Sequence, residues 1–213
     1  MKIIKGYEKM VAEKITQCMK PHGEEGYQTI ENMNENHKEI SDFAFECVNV
    51  GKNDRILDIG CGGGVNIEKF LKLTSGNVDG LDYSGVSVNA SIRQNQNAVE
   101  SGRCNVIQAD VSDMPIDDES YDLVSAFETI YFWPDIANTF KEVSRIIKPQ
   151  GQFMIAQGTD GNHPDDELWL STVEGMSVYT ADELEKYLLN AGFKSVKSFK
   201  KENDYILIVI AKK

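Results

Sequence analysis

No stretch of the chain approaches the ~20 consecutive apolar residues that a membrane-spanning helix needs; the longest apolar run, 205–211, has the length of a strand. A chain that works in water is expected. The first ten residues carry three lysines and only the pair Ile3 and Ile4 before Lys5, so the apolar centre of a secretion signal is missing too. Four cysteines, Cys18, Cys47, Cys61 and Cys104, lie far apart with no C-x-x-C and no histidine beside them. That argues against a disulfide framework and a zinc site, and reads as reduced packing residues in a cytoplasm. The three histidines are scattered and the acids show no ligand spacing, so no metal is expected. Lysine and arginine are absent from two long stretches, 104–140 and 149–185, each of which holds eight acids. The rest of the chain has 18 acids against 22 bases, so the net charge of −12 is concentrated in those stretches. Nucleic acid is a poor partner for them; a solvated acidic surface is the simpler reading of the same charge.

What is present fits one soluble globular domain. A chain of 213 residues with 41 % hydrophobic and 26 % charged residues is long enough to bury a sizeable core, and disorder, collagen and coiled coil are excluded. Short apolar runs alternate with amphipathic stretches, the pattern of strands alternating with helices in a parallel sheet covered on both faces. The periodicity predicts strands over 55–59, 78–82, 105–109, 121–127, 152–157, 194–200 and 205–211, and helices over 35–50, 65–73, 86–101, 136–147 and 181–191. Pro149 and Gly151 close the fourth of these helices; Thr180 caps the fifth and Gly192 ends it. Two segments escape the scheme. The polar, glycine-bearing 21–34 and the long connection 158–179 are candidate lids or substrate loops.

The sharpest local signal is LDIGCGGG (57–64), between the first strand and the helix that starts at Val65. Gly60, Gly62 and Gly64 give D-x-G-x-G-x-G, in which the backbone turns sharply and meets a ligand with no Cβ in the way, ahead of the free N–H groups of a helix N-terminus. The second strand ends at Asp82, 18 residues beyond Gly64, where an acid at the sheet's carboxyl edge can grip ribose hydroxyls. A dinucleotide fingerprint would need glycine or alanine where Val65 stands, which weakens an NAD-dependent oxidoreductase. The phosphate-cradling lysine of a nucleoside-triphosphate loop is missing.

With LDYS (81–84), QADVSDMPIDDESYDLV (108–124) and EVSRIIKPQGQFMI (142–155) following LDIGCGGG in order, the chain closely resembles the class I S-adenosylmethionine-dependent methyltransferases, in particular the small-molecule group that includes quinone-biosynthesis enzymes. The resemblance covers about 54–157. It implies a Rossmann-like α/β fold whose seven-stranded sheet is parallel except for the last strand, 205–211, inserted beside 194–200. It also implies a helical cap (1–50), a cofactor-binding core (51–157), a substrate-side insertion (158–179) and a C-terminal helix and strand pair (180–213).

Roles follow from the resemblance residue by residue. Asp58 would orient the loop and the methionine amine, while Gly60 and Gly62 let the backbone approach the amino-acid end of S-adenosyl-L-methionine. Asp82 would bind both ribose hydroxyls, Tyr83 would lie against the adenine, Asp110 would accept from its amino group, and Val111 would offer its N–H to the ring. Phe127 and Glu128 would face the methionine moiety and the substrate. Tyr131, Phe132 and Trp133, just after the fourth strand, offer aromatic faces to a sulfonium or a flat substrate, or simply pack as a hydrophobic turn. His37 falls in a region that often folds over the cofactor; Glu128, Tyr131 and His163 are candidate bases. Simpler readings stand beside these: Asp58 as a cap of the glycine turn, Asp110 as a solvated acid, Cys61 as packing. The expected activity is in-line methyl transfer to a neutral or cationic small molecule, leaving S-adenosyl-L-homocysteine. A silent cofactor-binding subunit that activates a partner would carry the same motifs.

Overall fold

The computed structural model describes residues 16–213. Seven strands form one sheet: β1 (Ile56–Ile59), β2 (Val78–Asp82), β3 (Val106–Gln108), β4 (Tyr121–Phe127), β5 (Ile147–Gln157), β6 (Ser195–Lys200) and β7 (Leu207–Lys212). The helices are α1 (Gly23–Asn36), α2 (Lys38–Cys47), α3 (Val65–Leu73), α4 (Gly85–Gln94), α5 (Gln96–Glu100), α6 (Ile136–Ile146), α7 (Asp166–Thr172) and α8 (Ala181–Asn190). None of them is long and apolar enough to cross a membrane.

Strand order is β3-β2-β1-β4-β5-β7-β6. The first five strands run parallel, and β7 lies antiparallel between β5 and β6. This is the expected Rossmann-like sheet. Every residue of β1 and β2 is buried, as a central parallel strand covered on both faces requires, whereas β6, at the sheet edge, has only exposed and half-buried residues. The side-chain period of two sorts each strand between two cores. Leu57, Ile59 and Val124 pack with Phe140, Phe153 and Leu184 beneath α6 and α8; Ile56, Leu123 and Met154 pack with Ile40, Ala44 and Phe70 beneath α2 and α3.

Several expected boundaries move, each for a local reason. The predicted 35–50 helix is two helices broken at His37, and the predicted loop 21–34 is largely α1. Gly26 of α1 lies against Pro21 and Val86, and the buried Ile30 follows one turn later, so tertiary packing holds a polar sequence helical. The predicted 86–101 helix breaks at Asn95, whose amide donates to the Gly64 and Ser91 carbonyls at 2.9 and 3.1 Å. Pro149 and Gly151 do not close α6; they lie in β5, which starts at Ile147 and shifts register opposite Tyr121 and Leu123, with Gln150 at φ 72°. The 158–179 connection contains α7, and Thr180 caps α8 in a reciprocal capping box with Glu183. Residues 1–15 of the expected helical cap, and with them the reading of 1–10, lie outside the described residues.

The sheet also buries one polar knot. Asp79 on β2 accepts from the Tyr121 hydroxyl (2.9 Å), the Arg55 guanidinium (3.2 Å) and the Asn105 N–H (3.0 Å), and Arg55 lies over the Tyr121 ring. Asp79→Ala leaves a buried hydroxyl without its acceptor, which costs about 2 kcal/mol. Urea unfolding should show a lower midpoint; an unchanged midpoint would mean the knot contributes nothing.

Candidate functional site

At the carboxyl edge of β1, β2 and β4 the chain encloses a cavity of about 350 Å³. Open parallel sheets bind ligands at that edge. The glycine loop forms its floor, with Gly60, Gly62 and Gly64 at φ 70, 51 and 78°. A Cβ on Gly60 would overlap Thr129 and one on Gly64 would overlap Ser91 and Asn95, so those two glycines are demanded by packing. Gly62 differs. Nothing lies within 4 Å of where its Cβ would be, and it lines the cavity, so its bare backbone faces open space.

Asp82, at the end of β2, is buried and accepts from the Gly62 and Ser84 N–H groups at 3.0 and 2.8 Å, which ties the loop to the neighbouring strand. Burial raises its pKa, against the pull of those N–H donors. Tyr83 follows; its hydroxyl donates to the Met19 carbonyl (2.6 Å) and the Lys20 ammonium lies 4.8 Å from its ring centre. Asp110 is exposed, accepts from the Ser112 N–H and hydroxyl, and has a lowered pKa through those bonds. Asp82, Tyr83, Asp110 and the buried Val111 share the same wall of the cavity as β2 and β3 end.

The opposite wall begins at Phe127, whose ring packs on Phe45 and Phe70. Glu128 comes next at φ 57°, a left-handed backbone that turns the chain off β4. Its carboxylate accepts from the Tyr131 hydroxyl (2.9 Å) and the Gly158 N–H, and burial pushes it up to about 7. Trp133 reaches the cavity while stacked on Phe153. His37, at the junction of α1 and α2, also lines it, with its pKa lowered by burial.

Three expected positions fall elsewhere. Asp58 does not reach the cavity; it is buried behind the loop, accepts from the Ser125 hydroxyl at 2.7 Å, and is pushed up to about 7 by burial. Of the three rings after β4, Tyr131 is buried under Glu128 in a 3₁₀ turn over Ile130–Phe132, whereas Phe132 and Trp133 line the cavity. His163 packs edge-on against Tyr205, away from the cavity. Cys61 is buried against Ser91, and burial raises its thiol pKa well above the ordinary value.

The sequence reading missed the wall made by α1, α2 and α3, where Asn34, Ser41, Asn66 and Lys69 line the cavity. The signal was the helical spacing of Ile30, Asn34, His37 and Ser41. It also missed Ser87, which lines the cavity from the first turn of α4 with a buried hydroxyl that has no hydrogen-bond partner. Among the described residues no group of three or more His, Cys, Asp or Glu is arranged to hold a metal.

The buried carboxylates make stability pH-dependent. Asp58 has its folded pKa above its unfolded one, so its contribution is full below pH ~4 and is lost as pH rises through about 7. Asp58→Asn keeps an acceptor for Ser125 and removes the titration. Thermal melts should show the variant gaining on the wild-type protein from pH 4 to 7, with no further gain above; a constant difference would show that Asp58 is not held protonated.

Residues 57–155 match the family described as "Methyltransferase domain". The chain is 29 % identical over 133 residues to cycloartenol-C-24-methyltransferase 1 of Oryza sativa subsp. japonica, covering 62 % of this chain and 39 % of that protein. It is 28 % identical over 150 residues to 27-O-demethylrifamycin SV methyltransferase of Amycolatopsis mediterranei, covering 66 % and 54 %. The chain thus spans about half or less of the length of these curated relatives. Its fold is that of an S-adenosylmethionine-dependent methyltransferase from Aquifex aeolicus, with a TM-score of 0.68 at 17 % identity over 87 % of this chain and 97 % of the other. The matched stretch holds the glycine loop, Asp82, Asp110 and Glu128, and these likenesses support a class I S-adenosylmethionine-dependent methyltransferase.

Proposed function

We propose that this chain transfers the methyl group of S-adenosylmethionine to a neutral or cationic small molecule. The observation that carries the reading is one cavity joining the open backbone of Gly62, the carboxylates of Asp82 and Asp110 and the unpartnered Ser87 hydroxyl to Glu128 on the far side. These groups fit an adenosine with an amino-acid tail. Asp82 would accept from the ribose hydroxyls and Asp110 from the adenine amino group, and Tyr83 and Val111 would cover the ring. The bound cofactor supplies an electrophilic methyl carbon on a sulfonium.

The chain's own contribution is position and charge. Holding an acceptor and a methyl carbon ~3 to 3.5 Å apart supplies much of the acceleration of a displacement. Glu128 is the group suited to receive the proton that an O–H or N–H acceptor gives up, since a carboxylate near pH 7 is matched to that task. Phe127, Phe132 and Trp133 offer the acceptor apolar and cation-binding faces. Acids in the connections after β3, β4 and β5 favour an uncharged or amine-bearing acceptor over a polyanion. In this reading residues 16–50 form a cap over the 51–157 cofactor core, with 158–179 as a substrate-side insertion and 180–213 completing the sheet.

Calorimetry should show S-adenosylmethionine and S-adenosylhomocysteine binding, with Asp82→Ala losing on the order of 100-fold in affinity, as two charge-assisted hydrogen bonds require. Binding of NADH and of neither adenosyl ligand would overturn the reading. Turnover should rise with pH through about 7. Glu128→Gln should abolish that rise while leaving S-adenosylhomocysteine affinity unchanged; a variant with an unaltered pH profile would remove Glu128 from proton transfer. Cofactor binding with no turnover of any acceptor would favour the silent, partner-activating subunit.

A further inference from the structure

The two oxygens of Glu128 have unlike surroundings. Oε1 accepts from the Tyr131 hydroxyl at 2.9 Å and from the Gly158 N–H, and that N–H is shared with the Tyr131 oxygen at 3.1 Å. Three groups thus close a ring of hydrogen bonds on one side of the carboxylate. Oε2 takes no hydrogen bond from the described residues. A Cβ at position 158 would stand 3.0 Å from Ile40 and 3.4 Å from Oε2, so this oxygen lies beside the Ile40 wall of the cavity that Glu128 itself lines.

The backbone builds that ring. Glu128 is held at φ 57°, a conformation that persists in a residue with a side chain only where its surroundings over-determine it, and the 3₁₀ turn that follows brings the buried Tyr131 back beneath it. Tyr131 is fixed at both ends, because its carbonyl accepts from the Ser177 N–H at 2.9 Å. Gln157, just before Gly158, donates to the Thr159 and Tyr179 carbonyls at 2.6 and 2.8 Å, so both ends of the 158–179 connection are tied to the same corner. Burial, and then the neighbouring Glu128, raise the Tyr131 phenol well above its ordinary pKa. It keeps its proton and donates. His37, Lys38, Lys69, Asp82, Tyr83 and Asp110 line the same cavity, and none of them is bonded to Glu128.

We propose that Tyr131 is a positioning residue for Glu128: together with the Gly158 N–H it holds Oε1, so that Oε2 is the oxygen offered to the acceptor. The inference rests on the proposed methyl transfer for the event it serves. There the acceptor's lone pair forms a bond to the methyl carbon as the methyl–sulfur bond breaks, that bond's electron pair stays on sulfur, and the acceptor's proton passes to Oε2. Holding one oxygen removes a rotation that would otherwise have to be frozen as the proton moves. The hydroxyl also favours the charged carboxylate, which offsets part of the rise that burial imposes on Glu128.

The test titrates Glu128 itself and needs no turnover. NMR of glutamate labelled at the side-chain carboxyl is followed against pH in the unliganded protein, with Glu128→Gln assigning the signal. Tyr131→Phe should raise the midpoint by about one pH unit or more, as loss of a hydrogen bond to a charged group implies. A ring-fluorinated tyrosine at 131, a stronger donor of nearly the same shape, should lower it. Midpoints that stay put, or that move the same way in both variants, overturn the proposal. In turnover, Tyr131→Phe should lose about 5-fold at pH ~7 and regain the wild-type rate near pH ~9, while binding S-adenosylhomocysteine as the wild type does. An equal loss at every pH, or a rate profile that ignores the moved midpoint, overturns the positioning role. If no adenosyl ligand binds or no acceptor turns over, the proposed methyl transfer has failed, and the titration alone upholds or overturns the hold of Tyr131 on Glu128.

Discussion

The close approach of the chain at Gly60–Gly64 sets the positions of nearly everything around it. Thr129, after β4, occupies the space a Cβ on Gly60 would need; Ile30 and Asn34 of α1 press on Gly63; Ser91 and Asn95 of α4 press on Gly64. Three elements distant in sequence are thereby set against one short loop, at distances that a side chain would not permit. Left-handed backbone at 60, 62 and 64 makes the turn feasible, since glycine alone adopts it without steric cost. Asp82 then fixes the loop sideways by accepting from the Gly62 N–H. Gly62 is the one position of the three whose bareness no protein neighbour uses, which is why it is the natural face for a ligand.

Around that loop the molecule buries more carboxylate than is comfortable. Asp58 and Glu128 are both pushed up to about 7 chiefly by burial, and Asp82 is raised as well. Of these, Asp82 and Glu128 line the cavity, where a cation would favour their charged forms. A sulfonium supplies one in the proposed reading. The exception is the end walled by α2 and α3, where two lysines share Asp42.

How much of this was legible depends on where the information resides. Strands β2 and β4 and helix α3 have their predicted bounds, because a buried parallel strand or a strongly amphipathic helix writes its period into its own residues. Helix α1 does not. Its polar residues and Gly26 read as a loop, and it becomes helical through Gly26 packing on Pro21 and Ile30 meeting Gly63, contacts that lie outside its own sequence. The choice between Tyr131 and Phe132 as the ring facing the cavity was equally hidden. It is set by the left-handed turn at Glu128 and the 3₁₀ turn after it, and no residue type there announces either. The loop motif draws attention to Asp58, while the side-chain period of β1 turns it toward Ser125.

The two halves of the cavity are therefore unlike in origin. Strand ends and the glycine loop supply Gly62, Asp82, Asp110 and Glu128, all inside the stretch 57–155 that matches the methyltransferase domain. Asn34, His37 and Ser41 come from α1 and α2, before that stretch begins. Strand ends are positioned by the sheet's hydrogen bonds, so their chemistry persists wherever the sheet does. Residues on α1 and α2 are positioned by side-chain packing against the loop and can change with few consequences for the sheet. In the proposed reading the cofactor half comes from the matched stretch, and the acceptor is to be sought through the residues of α1, α2 and the Glu128 turn.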